Sequence, residues 1–198
     1  GFEVAADYKG YISNGSDDIW FLLRGNFTYG TAKVETFDEI GTDKAPWISR
    51  VGHSPAQNFG YVAEHLFIDE QEVANSASQA ALGDQIMAGD IKYVDINKDG
   101  VINQFDVVPI GHPRVPEIQY GFGGSAGYKN FDLNFFFQGQ SRYSFWINPN
   151  EIAPFISTNG GNRALLSWIA DNHWTESNRD LHAQWPRLSN INGVGNQN

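Results

Sequence analysis

The sequence predicts an all-β chain whose strands carry one apolar and one polar face, and it favours a transmembrane antiparallel barrel over a soluble β-sandwich. Three observations lead there. Of 198 residues, 41% are apolar and only 18% charged, yet 14% are aromatic and Gly occurs 21 times. Four stretches of about 9–12 residues alternate with period two, the length that crosses a bilayer when tilted. The connections between them are short at one end and very long at the other, the habit of outer-membrane barrels. A sandwich alternates as well, but it keeps most of its loops short.

The strands are expected at about 2–9, 18–29, 117–127 and 131–140. In the first, Phe2, Val4, Ala6 and Tyr8 oppose Glu3, Ala5, Asp7 and Lys9. In the second, Phe21, Leu23, Gly25, Phe27 and Tyr29 oppose Trp20, Leu22, Arg24, Asn26 and Thr28. The third has Ile118, Tyr120 and Phe122 followed by glycines. The fourth sets Phe131, Leu133, Phe135 and Phe137 against Asp132, Asn134, Phe136 and Gln138. Polar, flexible residues at Ser13–Asp17 and Tyr128-Lys129-Asn130 predict short turns, which the short-in, long-out rule makes periplasmic. The stretches 30–116 and 141–190 are then extracellular loops, so a tag at Asn159 should be accessible from outside and one at Asn130 should not. Trp20, at a strand end, is a candidate for an interfacial aromatic girdle. The remaining tryptophans, Trp47, Trp146, Trp168, Trp174 and Trp185, fall in the loops, where packing is the simplest role.

Two short helices are expected in the loops. Asp69 followed by Glu72 is a capping-box-like start for a helix over Glu70–Ala81. Leu165, Leu166 and Ile169 are spaced for one helix within Gly160–Trp174, with Asn162 as N-cap.

The most specific motif runs from Asp95 to Asp106: Asp-Ile-Asn-Lys-Asp-Gly-Val-Ile-Asn-Gln-Phe-Asp. It follows the calcium-loop pattern at positions 1, 3, 5 and 6, with an apolar residue at 8 and Asp at 12. Ca²⁺ is a hard cation that takes about six or more oxygens at about 2.3–2.6 Å. Side chains of Asp95, Asn97, Asp99 and Asp106 with the Val101 carbonyl would supply them, Gly100 making the turn and Ile102 anchoring it inward. The ending in Asp resembles the dockerin version of the loop. The preceding Gly89–Val94 reads as extended, so the expected Ca²⁺ is structural and braces a loop. The alternative from the same residues is an acidic turn cross-braced by hydrogen bonds, without metal.

Other chemistry is excluded or unsupported. A formal charge of -10 with 13 Lys+Arg speaks against nucleic acid, which needs a basic face. Without cysteine there is no disulfide, thiolate ligand or cysteine nucleophile. His53, His65, His112, His173 and His182 are scattered, none at ligand spacing with another. There is no nucleophile elbow, Walker A loop or His-Glu-x-x-His. The chain is read as no enzyme.

The block from Gly89 through Ile102, followed by Ile110-Gly111-His112-Pro113 and Pro116-Glu117-Ile118-Gln119-Tyr120-Gly121-Phe122, resembles SusC/RagA-type TonB-dependent transporters of Bacteroidetes. Tyr128-Lys129-Asn130-Phe131-Asp132-Leu133 and Phe136-Phe137-Gln138-Gly139 continue the likeness. Gly25-Asn26-Phe27-Thr28-Tyr29, Asn58-Phe59-Gly60-Tyr61 with Leu66-Phe67, His173 to Asn178 and Trp185-Pro186-Arg187-Leu188 extend it to nearly the whole chain. His65 departs from it, standing where the family commonly has glycine.

The resemblance implies part of a large transmembrane antiparallel β-barrel with long extracellular loops carrying short helices, of the plugged class of roughly 22 strands. Residues 1–198 would be a fragment of one barrel domain, an internal, late piece of a longer protein, with plug and TonB box not present in it. It also implies a Gram-negative outer membrane with its lipid as surroundings, TonB as energy source, a SusD-like surface lipoprotein as lid, and oligosaccharides or peptides as cargo. A soluble calcium-braced β-domain, acting as a carbohydrate-binding or adhesion module, is the alternative.

Overall fold

The computed structural model describes residues 1–15, 17–83, 85–147, 154–155, 157–158, 161–162 and 164–189. The chain separates into two compact units, Gly1–Phe37 with Arg50–Asn58 and Gly111–Phe145, and Asp38–Ser49 with Phe59–Ile110 and Trp146–Asn198.

The first unit is built on one antiparallel sheet in the order β1 (Phe2–Asn14), β2 (Asp17–Tyr29), β7 (Ile118–Tyr128), β8 (Phe131–Ser141). The alternating stretches form strands because β-branched and aromatic residues suit a pleated surface. They run several residues past the predicted bounds at the turn end of β1. Asn14 pairs with Asp17 and Tyr128 with Phe131, leaving two-residue turns. Gly15 (φ 71°) and Lys129 (φ 54°) take the left-handed backbone such turns need. The register is unbroken, so each face can be read row by row. One face carries Phe2, Val4, Ala6, Tyr8, Gly10 and Ile12, then Tyr29, Phe27, Gly25, Leu23, Phe21 and Ile19 beside them. Ile118, Tyr120, Phe122, Gly124, Ala126 and Tyr128 follow, and then Ser141, Gly139, Phe137, Phe135, Leu133 and Phe131. Over these six rows it carries no Asp, Glu, Lys, Arg, His, Asn or Gln.

This face is not covered: Tyr8 is 64% exposed, Leu133 65% and Phe131 79%. No large apolar side chain of the sheet is among the buried ones. The sheet is open, with β1 and β8 as its edges, and no closed barrel is formed by these strands. Trp20 lies on the opposite, polar face, paired with Tyr11 and Gly127, so the expected girdle position is corrected. The reason is register: a girdle residue must share parity with Phe21 and Ile19, and Trp20 does not.

The second unit is formed from the greater part of the two long loops. Its described residues contain β3 (Asn58–Gly60) with β6 (Val108–Ile110), β4 (Ala63–Leu66) with β5 (Ile91–Tyr93), β9 (Ser157–Thr158) with β10 (Gly161–Asn162), and two short α-helices. Its core is Ala45, Leu66, Phe67, Ile102, Ile169 and Trp174. The first helix, α1, spans Glu70–Asn75, with the Asp69 carboxylate accepting from the Glu72 amide at 2.8 Å as the capping pattern predicts. It stops far short of Ala81. Ser78 instead bridges to Val101, and the Gln79 side chain bonds the Ile91 carbonyl and the Tyr93 amide. These tertiary bonds outweigh a thin helical pattern. The second helix, α2, is Ser167–Asp171, capped by Leu166 without a side-chain bond. Asn162 is therefore no N-cap: it belongs to β10. Gly160 and the proposed tag site Asn159 lie outside the described residues.

Candidate functional site

Two features carry functional information, the loop Asp95–Asp106 and the two faces of the sheet. The loop begins after β5, confirming an extended approach, and its end is a 3-10 turn at Gln104–Asp106. Asp95 sits at its hub: Oδ1 accepts from the amides of Lys98 (2.7 Å) and Asp99 (3.3 Å), and Oδ2 from Gly100 (2.8 Å). Lys98 (φ 60°) and Gly100 (φ 84°) turn the backbone so that these amides converge. Asn97 Oδ1 accepts from the Asp99 amide at 3.0 Å, and its Nδ2 donates to Asp99 Oδ2 at 2.9 Å. Asp99 Oδ1 accepts from the Val101 amide at 2.9 Å. The exposed turn thus brings Asp95, Asn97 and Asp99 together.

Asp106 is placed differently. It is 0% exposed, and its Oδ1 accepts from the Ile96 amide at 2.9 Å while Oδ2 accepts from Asn103 at 2.8 Å. It ties the start of the loop to its end. The Val101 carbonyl accepts from Asn103 Nδ2 at 3.2 Å. Ile102 is fully buried, the inward anchor the sequence indicates, and its amide donates to Ser78 O at 2.8 Å. Among the described residues, no group of three or more His, Cys, Asp or Glu side chains is arranged to hold a metal. Asp95, Asn97 and Asp99 have the oxygen chemistry of a hard-cation site, while the Asp106 carboxylate is committed to backbone amides.

Two of the histidine rings, His65 and His173, are held by polar contacts. His65 lies in β4, where the strand carries a bulge, with Nε2 2.8 Å from Glu72 Oε1. Lys92 Nζ reaches the same oxygen at 3.0 Å and Glu64 at 3.3 Å. Partial burial pushes the Glu72 carboxyl up, but the Ile68 amide, Lys92 and His65 outweigh it and bring it down to about 2. Lys92 is pulled down by burial and held above its ordinary value by Glu72 and Glu64. The His173 ring donates from Nδ1 to the Ala170 carbonyl at 2.7 Å, beyond the end of α2. Of the loop tryptophans, Trp47 donates to the Phe105 carbonyl at 2.8 Å, Trp168 meets Trp185 edge-on at 5.8 Å and Trp174 is buried, whereas Trp146 stays exposed.

Sequence reading misses the ion pair between Asp90 and Arg187. Asp90 is 0% exposed, and Arg187 Nε lies 2.8 Å from its Oδ1. No local pattern reveals it, because the two are joined only by the fold.

No helix among the described residues is long and apolar enough to cross a membrane, which says nothing of crossing by strands. The chain matches no protein-family model. It is similar to two proteins of Formosa agariphila. With TonB-dependent receptor P26 it shares 42% identity over 60 residues, 30% of this chain and 6% of that protein. With TonB-dependent receptor P3 it shares 28% identity over 136 residues, 59% of this chain and 13% of that protein. The chain thus spans only a small part of the length of these relatives.

Proposed function

We propose that this chain is a segment of the barrel wall of an outer-membrane TonB-dependent importer of the SusC/RagA type. The observation that carries the reading is the face of β1, β2, β7 and β8 that is exposed and free of charge through six successive rows. From Phe2 to Ile12 it runs about 34 Å along the strand at about 3.4 Å per residue. A tilt of roughly 40° reduces that to about 26 Å along the membrane normal, close to the apolar band of outer-membrane barrels. The opposite face carries Glu3, Asp7, Lys9, Arg24, Asn26, Gln119 and Gln138, as a lumen requires. Open edges in hydrocarbon are not tolerated, so further strands would pair with β1 and β8. The similarity to TonB-dependent receptors supports the same assignment.

In this reading the polar face lines the import path, the second unit lies outside the cell, and a SusD-like lipoprotein closes over it. Oligosaccharides or peptides are the cargo, and TonB supplies the energy. Lipid meets the apolar face, and the chain itself catalyses no reaction. Asp95, Asn97, Asp99 and the Val101 carbonyl would hold one structural Ca²⁺, with the buried Asp106, first expected as a ligand, bracing the loop through the Ile96 and Asn103 amides instead. The ion would screen the carboxylates from one another and stiffen the loop, and extracellular sites of about 10⁻⁴–10⁻³ M suffice for that.

The test is a pair of arginine substitutions in the full-length protein. Leu23→Arg, near the middle of the apolar face, should cost roughly 2–4 kcal/mol and impair membrane assembly. Asn26→Arg, on the polar face, should assemble normally. Equal behaviour of the two would refute the lipid-facing assignment.

A further inference from the structure

The polar face of the sheet holds a concavity of about 460 Å³. Its lining includes Gly121 of β7, which contributes no side chain and stands two residues from Gly123 on the same face. The Phe136 ring of β8 lies along this strip: a methyl at either glycine would run into it. One ring face is therefore pressed on backbone, while the residue as a whole stays 49% exposed. Asn26, Gln119, Gln138 and Gln140 stand around it as lining residues. None of these four carboxamides is among the hydrogen-bonded side chains of the described residues, so their donors and acceptors are turned to solvent. Glu3 is the one carboxylate of the lining, and no Lys or Arg joins it.

That chemistry selects its ligand. An anion would meet Glu3 without a compensating cation. A peptide brings charged termini and side chains for which one carboxylate is the only partner. A hydroxyl-rich ring fits on both counts. Each carboxamide offers two donors and a carbonyl acceptor, matching hydroxyls that both give and take hydrogen bonds. The C–H face of a sugar can lie on the open face of an aromatic ring, whose flat apolar surface is the anchor. We infer that this concavity is a subsite for a neutral sugar unit of the cargo, with Phe136 as its platform and Asn26, Gln119, Gln138 and Gln140 as its polar contacts. The inference rests on the reading that this face lines the import path.

The experiment uses the full-length protein purified in detergent and titrated calorimetrically. The probes are neutral malto-, manno-, xylo- and galacto-oligosaccharides, galacturonate oligomers and a tripeptide mixture. A neutral oligosaccharide should bind, Phe136→Ala should weaken it about five- to tenfold, and Phe136→Tyr should retain it. Gln138→Ala, which removes no packing from the glycine strip, should also weaken it and stands in if Phe136→Ala fails to assemble. Binding of galacturonate or tripeptides alone, or of no probe, overturns the subsite. So does an unchanged affinity in Phe136→Ala with lowered thermal stability, which would make the ring a packing element. The Leu23→Arg and Asn26→Arg pair reads the membrane assignment separately, so normal results there with failure here would reject the subsite alone.

Discussion

Phe136 and Gly123 are direct cross-strand partners, and the phenyl ring occupies the space a side chain on Gly123 would need. The pairing recurs: Phe21 lies over Gly10, Tyr120 over Gly139, Phe135 over Gly124 and Trp20 over Gly127, each across one rung of the ladder. Glycine weakens a strand by its entropy and lack of contacts, and an aromatic partner laid over it restores packing. This explains why a chain so rich in both residue types makes regular strands. Gly123→Ala should therefore destabilise the sheet by about 1–3 kcal/mol through overpacking. Urea unfolding of the full-length protein in detergent, compared with Gly25→Ala, measures it. Gly25 has only a distant neighbour, so its substitution should be nearly neutral.

The exposed apolar face predicts how the segment behaves by itself. Expressed without detergent, residues 1–198 should aggregate, because the sheet has no buried core and both its edges are open. Size-exclusion chromatography checks this. A monodisperse soluble monomer that unfolds cooperatively would instead favour the calcium-braced soluble module.

Orientation is checked by labelling intact cells. A cysteine at Glu176, an exposed residue of the second unit, should react with an impermeant maleimide. One at Lys129, in the two-residue turn between β7 and β8, should react only after lysis. The reverse pattern would place the strands upside down.

Acid should loosen the second unit around α1. The Glu72 carboxyl, ordinarily near 4.5, is held at about 2 when folded. A depressed carboxylate contributes stability that is complete above its unfolded value and is lost as pH falls through the folded one. The window is thus from about 4.5 down to about 2. Hydrogen exchange at residues 63–93, corrected for intrinsic rates, should rise across it. In Glu72→Gln it should already be raised at neutral pH and change little on acidification.

The two parts of the loop should separate by substitution. Asp99→Ala should abolish any calcium-dependent protection of residues 95–106 while leaving the rest of the second unit intact. Asp106→Ala should destabilise the loop with or without calcium, by about 1–3 kcal/mol or more, since buried amides lose their acceptor. Hydrogen exchange in millimolar calcium and in chelator distinguishes them. Identical traces for the native protein in both media would refute the metal site.

Sequence alone determined what period and local chemistry encode. The four strands and their faces are legible because a side-chain period of two sorts residues without reference to partners. The Asp69 cap and the Ile102 anchor are legible for the same reason, each being set by residues a few positions away. Only the tertiary structure decided the early end of α1 at Asn75, where Ser78 is claimed by Val101 of the acidic loop and Gln79 by Ile91 and Tyr93 of β5. It also turned Asn162 from helix cap to strand, buried Asp106 as a brace, and joined Asp90 to Arg187. The rung-by-rung match of glycines with aromatics was hidden as well, because register is a relation between strands. Burial and pairing depend on distances across the fold, and no pattern along one strand contains them.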